Sequence, residues 1–151
     1  MIILSPYSRQ LPDGRNNAKN YPYWQEVINE LVHRKHTIIQ VGRADETPLR
    51  SVNFRANLSL NDLTALVHEC KTWASVDNFF PHLCSHLNKP GTVVWSRSDP
   101  TIYGYEANAN LLKDRSYLRA DQFGKWPDCP YLLDSFVGPE VVTNAILSRC
   151  N

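Results

Sequence analysis

Thr72-Trp73-Ala74-Ser75-Val76, Asp77-Asn78, Phe79 to Leu87, Lys89-Pro90-Gly91 and Thr92-Val93-Val94-Trp95 form the stretch that decides the fold. Its two outer segments are short apolar runs without in-out alternation. Between them Phe80, Leu83, Cys84 and Leu87 fall on one helical face. The order is strand, helix, strand. Strands that are apolar on both sides belong to a parallel sheet covered by helices on both faces.

The same alternation extends outward. Ile2 to Leu4 is a strand ended by Ser5-Pro6, and a polar loop follows up to Lys19. From Pro22, which suits a first helical turn, Trp24, Val27, Ile28 and Leu31 recur at helical spacing. Thr37 to Val41 is a second strand, broken by Gly42-Arg43. Ala44 to Asn57 has no clear period and reads as a loop with room for a short strand. Ser59, with Asp62 three residues on, caps a helix carrying Leu60, Leu63, Leu66, Val67 and Cys70. Beyond Asp99-Pro100 lies an aromatic, polar region, with one more short strand expected near Tyr117-Leu118. Pro139 and Glu140 open a last helix with Val142, Ala145 and Ile146 on one face. The expectation is an α/β fold: one domain, 1–151, with a doubly wound parallel sheet of about five strands and the first strand central.

Composition narrows the function. With 16 Lys+Arg against 15 Asp+Glu the net charge is +1, which offers no field for nucleic acid or an anionic membrane. The apolar start, Met1 to Leu4, is shorter than the roughly 7 to 15 residues of a signal-peptide core, so a soluble, cytoplasmic protein is expected. Cys70, Cys84, Cys129 and Cys150 are scattered and read as reduced thiols.

In an open parallel sheet, ligands bind beyond the carboxyl ends of the strands. Ser5, Tyr7, Ser8 and Arg9 follow the first strand, with Lys19 closing its loop. Gly42 and Arg43 follow the second, Asp77 and Asn78 the third, and Ser96, Arg97, Ser98 and Asp99 the fourth. Hydroxyls and cations gathered on one rim suit a phosphate or diphosphate, although loops at sheet ends are polar in most proteins. No phosphate-loop signature, Gly-x-Gly-x-x-Gly turn or Gly-x-Ser-x-Gly elbow occurs. His82 and His86 stand at helical i, i+4 spacing but lack the Glu of a metalloprotease helix, so no metal site is expected. His33 and His36 suit the negative end of the first helix.

The run from Ala74 to Pro90, followed by an apolar strand and Ser96-Arg97-Ser98-Asp99-Pro100, resembles the signature of the ADP-heptose:lipopolysaccharide heptosyltransferases. There a strand ends in Asp-Ser/Thr-Gly, a His follows, a helix leads to Lys-Pro, and the next strand opens into Gly-Pro-Thr. Lys19-Asn20-Tyr21-Pro22, Val41-Gly42 and Leu58 to Leu63 look like further family motifs, so the resemblance covers residues 1 to 105. It implies a Rossmann-like, donor-binding C-terminal half of a GT-B glycosyltransferase that holds a nucleotide-sugar without a metal or other cofactor. On that resemblance Ser8 and Lys19 contact phosphate, Gly42 and the Ser59 region border the base and ribose, and Asp77, Asn78 and His82 line the diphosphate and sugar side. The sequence departs from the family at Phe79, where glycine is usual, and at Ser96-Arg97-Ser98 in place of Gly-Pro-Thr.

Two functions follow from the resemblance. The first is a stand-alone module that binds or sequesters a nucleotide or nucleotide-sugar without turnover, since residues 1–151 supply a donor-type half and no acceptor half. Such a binder would suit a virus or mobile element that soaks up a nucleotide signal. The second is a glycosyltransferase working as a homodimer or with a separate acceptor chain. Tyr7, Tyr103, Tyr105 and Trp126 lie in expected loops, where a base can stack on their rings. An uncovered former interface makes a homodimer the expected state.

Overall fold

The computed structural model describes residues 1–150; Asn151, the last residue of the expected domain, lies outside them. Six parallel strands form one sheet in the order β3-β2-β1-β4-β5-β6. They are β1 (Ile2–Ser5), β2 (Ile38–Gly42), β3 (Asn53–Ala56), β4 (Thr72–Val76), β5 (Thr92–Val94) and β6 (Ala109–Leu111). The helices are α1 (Trp24–His33), α2 (Leu60–Glu69), α3 (Phe79–His86), α4 (Pro100–Tyr103) and α5 (Pro139–Ser148). The first strand is central, between β2 and β4, as the doubly wound order requires.

Alternation along each strand sorts side chains onto two cores. Ile2, Leu4, Ile38, Ala74, Val76 and Val94 face Trp24, Val27, Ile28 and Leu31 of α1 and Val142 and Ile146 of α5. Ile3, Ile39, Val41, Trp73, Val93 and Trp95 face Leu66 and Val67 of α2 and Phe80 and Cys84 of α3. Both faces of the sheet are therefore dry, and this is why its inner strands read as unbroken apolar runs. Burial pushes the Cys70 and Cys84 thiols up, which keeps them in the neutral form. Among the described residues no helix is long and apolar enough to cross a membrane.

The short strand for which Ala44 to Asn57 left room is β3. Two local expectations are corrected. The further strand lies at Ala109–Leu111, not near Tyr117-Leu118, where Asp114 Oδ1 accepts from Ser116 N at 2.8 Å and winds Arg115–Tyr117 into a 3₁₀ turn. The first helix begins at Trp24 rather than Pro22.

Two contacts generate predictions. A Cβ at Gly91 would fall inside the buried Trp73 indole, whose Nε1 donates to Lys89 O at 2.9 Å. Gly91→Ala should lower stability by about 1–3 kcal/mol in urea denaturation, the usual result of overpacking a core. Asp99 caps α4 through Thr101 N at 2.9 Å and accepts both Arg115 amino groups, at 3.1 and 2.6 Å. The Arg115 guanidinium holds the Asp99 carboxyl below its ordinary value. A depressed carboxylate stabilises the fold above its unfolded value, near pH 4, and that stabilisation is lost as pH falls through the folded value. The acid limb of a Tm-against-pH curve should therefore be shallower for Asp99→Asn than for the wild type.

Candidate functional site

The loops after β1, β4 and β5 meet at Asp77. Its Oδ2 accepts from Ser98 Oγ at 2.8 Å and pairs with Lys19 Nζ at 2.7 Å, while its backbone carbonyl accepts from Ser8 Oγ at 2.9 Å. Asn78 is spent on structure. Its Oδ1 caps α3 by accepting from Phe80 N, and its amide donates to Ser5 Oγ, Ser5 O and Tyr7 O. Pro81 has no N–H, so Phe79 is the one position in the first three of α3 whose amide is left for a ligand.

Two of the clefts on this rim meet at Phe79. One, of about 500 Å³, lies over the ends of β1 and β2. It is walled by Val41, Leu58, Leu63 and Phe80 and edged by Tyr7, Arg9, Gly42, Arg43 and Glu46. Its size and mixed lining are those of a small-molecule site. The other, of about 290 Å³, holds Lys19, Asp77 and His82 between the rings of Phe79, Tyr103 and Trp126. Phe79 borders both clefts and is 61% exposed. Lys19 Nζ lies 4.2 Å from the centroid of Trp126, within cation-π range. His82 Nδ1 is 2.8 Å from Tyr105 Oη.

Of the residues singled out in the sequence, Ser8, Arg9, Lys19, Gly42, Arg43, Asp77, Asn78, Phe79 and His82 border these two clefts. Four do not. Ser59 is engaged in capping α2, accepting from Asp62 N at 3.1 Å, and its neighbours Asn57 and Leu58 line the cleft instead. Ser96 is buried and donates to Ala18 O at 2.8 Å. Ser98 is buried and reaches the site only through Asp77. Arg97 borders a separate cavity with Arg119 and Lys125.

Glu46 escaped the sequence reading. Its carboxylate occupies the space that a side chain at Gly42 would fill, and burial pushes it up from its ordinary value. The signal available was a strand ending in glycine with an acid four residues on. Burial and the Glu46 charge likewise push the Tyr7 phenol up. Among the described residues no group of three or more His, Cys, Asp or Glu is placed to hold a metal ion.

The chain matches no protein-family model, and no curated protein matches it in sequence. Solved structures do match. The E. coli heptosyltransferase WaaC, with ADP, superposes with a TM-score of 0.68 at 17% identity over 98% of this chain and 43% of that one. The E. coli ADP-heptose lps heptosyltransferase II gives 0.72 at 17% identity over 99% and 46%. The dodecameric, iron-containing E. coli heptosyltransferase TibC, in complex with ADP-D-beta-D-heptose, gives 0.65 at 12% identity over 99% and 42%. The chain thus has the Rossmann-like α/β fold of heptosyltransferases, matched over less than half of their length.

Proposed function

We propose that this chain binds a nucleotide or nucleotide-sugar over the ends of β1, β2 and β4 and holds it without turnover. The base lies against Val41, Leu58 and Leu63, Glu46 accepts from the ribose hydroxyls, and the phosphates run past Ser8 and the Phe79 amide toward Lys19. The bound ADP of WaaC and the ADP-heptose of TibC support a nucleotide as the ligand class. The observation that carries the non-catalytic reading is that the two carboxylates beyond β4 and β5 are both engaged. Asp77 is paired with Lys19 and accepts Ser98, and Asp99 is clamped by Arg115 and Thr101. In these bonds both carboxylates are directed at Lys19, Ser98, Arg115 and Thr101, which supports a site that holds its ligand without turnover.

The second reading, a metal-independent glycosyltransferase formed by a homodimer or with an acceptor-domain chain, draws on His82. The Tyr105 hydroxyl orients its imidazole at the cleft that holds Lys19 and Asp77. Cytoplasmic sequestration belongs to the first reading and homodimerisation is common to both; the 81% exposed Phe123 beside Tyr103 supports an uncovered face.

Calorimetry with ADP and ADP-sugars tests the site. Lys19→Ala should weaken binding by about 1.5–3 kcal/mol, the contribution of a hydrogen bond to a charged group, with the Tm of the free protein monitored in parallel. Glu46→Gln should narrow the preference for ribose over deoxyribose nucleotides. Unchanged affinity in both variants would move the site elsewhere. Prolonged incubation should return intact nucleotide-sugar; release of nucleoside diphosphate that His82→Ala abolishes would favour the transferase. Sedimentation should give twice the chain mass for the wild type and the single-chain mass for Phe123→Asp.

A further inference from the structure

We propose that the chain carries a second anion site, apart from the nucleotide cleft, in which Arg97 and Arg119 grip one phosphate group. Arg97 follows β5 between two anchored serines, Ser96 tied to Ala18 O and Ser98 tied to Asp77. Its own carbonyl accepts from Arg119 N and from Gln122 Nε2, both at 3.0 Å. With the backbone fixed on both sides, the Arg97 side chain borders a cavity of about 280 Å³ shared with Arg119, Lys125, Asp121 and Asp128.

Arg119 is set in place before any ligand arrives. Its Nη1 donates to Gly124 O at 2.9 Å and its Nη2 to Gln122 O at 3.0 Å, and the guanidinium lies 3.6 Å from the centroid of Trp126. Arg97 is the opposite case. Among the described residues its side chain makes no hydrogen bond and no ion pair, although it is half-buried. The Nε of Arg97 and the Nε of Arg119 are both buried without a partner.

Two guanidiniums on one small cavity repel each other, and a buried N–H left unpaired costs free energy. Neither is within ion-pairing distance of Asp121 or Asp128. One of these, Asp121, is engaged through Oδ1 with Phe123 N at 3.0 Å. An oxyanion between the two guanidiniums relieves the repulsion: the unbonded Arg97 fork presents the planar geometry that fits tetrahedral phosphate, while Arg119, whose Nη1 is spent on Gly124 O and Lys125 O and whose Nη2 donates to Gln122 O, supplies its charge from a fixed position. Three cations against two carboxylates leave the lining at +1, which suits a single phosphate rather than a polyanion. The cavity adjoins the nucleotide cleft across one ring, because Trp126 carries Lys19 as well as Arg119. A phosphorylated second small molecule would thus lie next to the nucleotide. The proposal rests on the arginine geometry and stands whether or not a nucleotide binds.

The test is a titration of ¹⁵N-labelled protein with inorganic phosphate, against chloride at equal ionic strength, following arginine Nε–H and backbone amide signals. Saturable shifts at Arg97, Arg119 and Lys125 are expected, with the dissociation constant raised by about tenfold or more in Arg97→Gln. Arg97→Lys, which keeps the charge and loses the fork, should fall between the two. The wild-type Tm in Arg97→Gln would exclude unfolding as the cause. Three outcomes would overturn the site: no saturable shift beyond chloride, shifts gathered at Ser8 and Phe79 instead, or an unaltered titration in Arg97→Gln.

Discussion

The rim of this fold depends on one carboxylate. Asp77 ends β4, next to the central strand, and ties Lys19 from the β1 loop and Ser98 from the β5 loop to one oxygen. The pair is mostly buried, with side-chain exposures of 15% for Lys19 and 10% for Asp77. Removing two charges from water is costly, and the Ser98 hydrogen bond offsets part of that cost by satisfying the carboxylate further. Losing one partner is worse than lacking the pair, because the other charge stays buried and alone. The geometry of three loops is thus coupled to a single interaction.

That interaction shapes the chemistry open to the rim. Lys19 meets a ligand already neutralised, and most of the first turn of α3 is satisfied by Asn78 or lacks a donor at Pro81. The cradle that helix N-termini and cations usually offer to phosphate is therefore weakened from within. What remains open is the apolar wall of Val41, Leu58 and Leu63 beside the Glu46 carboxylate. On the proposed function, a nucleotide held here gains from burying its base and pairing its hydroxyls as well as from its charge.

The inner strands were legible because both their faces are buried, which leaves runs such as Ile2 to Leu4 and Thr72 to Val76 with no polar break. The edge strands were not. Asn53–Ala56 alternates exposed and half-buried residues, and Ala109–Leu111 is half-buried throughout, so neither carries an apolar run. The rim residues could be read from the strand ends, since topology alone brings those loops together. Which of them faces a cleft could not. The capping role of Ser59 was legible from Asp62 three residues on, but Ser96 and Ser98 turn inward, outcomes set by local hydrogen bonds that composition does not reveal. Arg97 and Arg119 meet only through tertiary structure, and no spacing announces them.

The central place of β1 also bears on how the chain assembles. Ile2 sits between Ile38 and Thr72, so β1 acquires its second neighbour only after β4 has left the ribosome. Pairings so distant in sequence form late, because loop closure precedes the contacts that reward it. Until then the side of β1 that pairs with β4 is an open strand edge, the kind of segment that aggregates or engages chaperones. Yield in the cell should therefore depend more on how quickly β4 is delivered to β1 than on the final stability of the sheet.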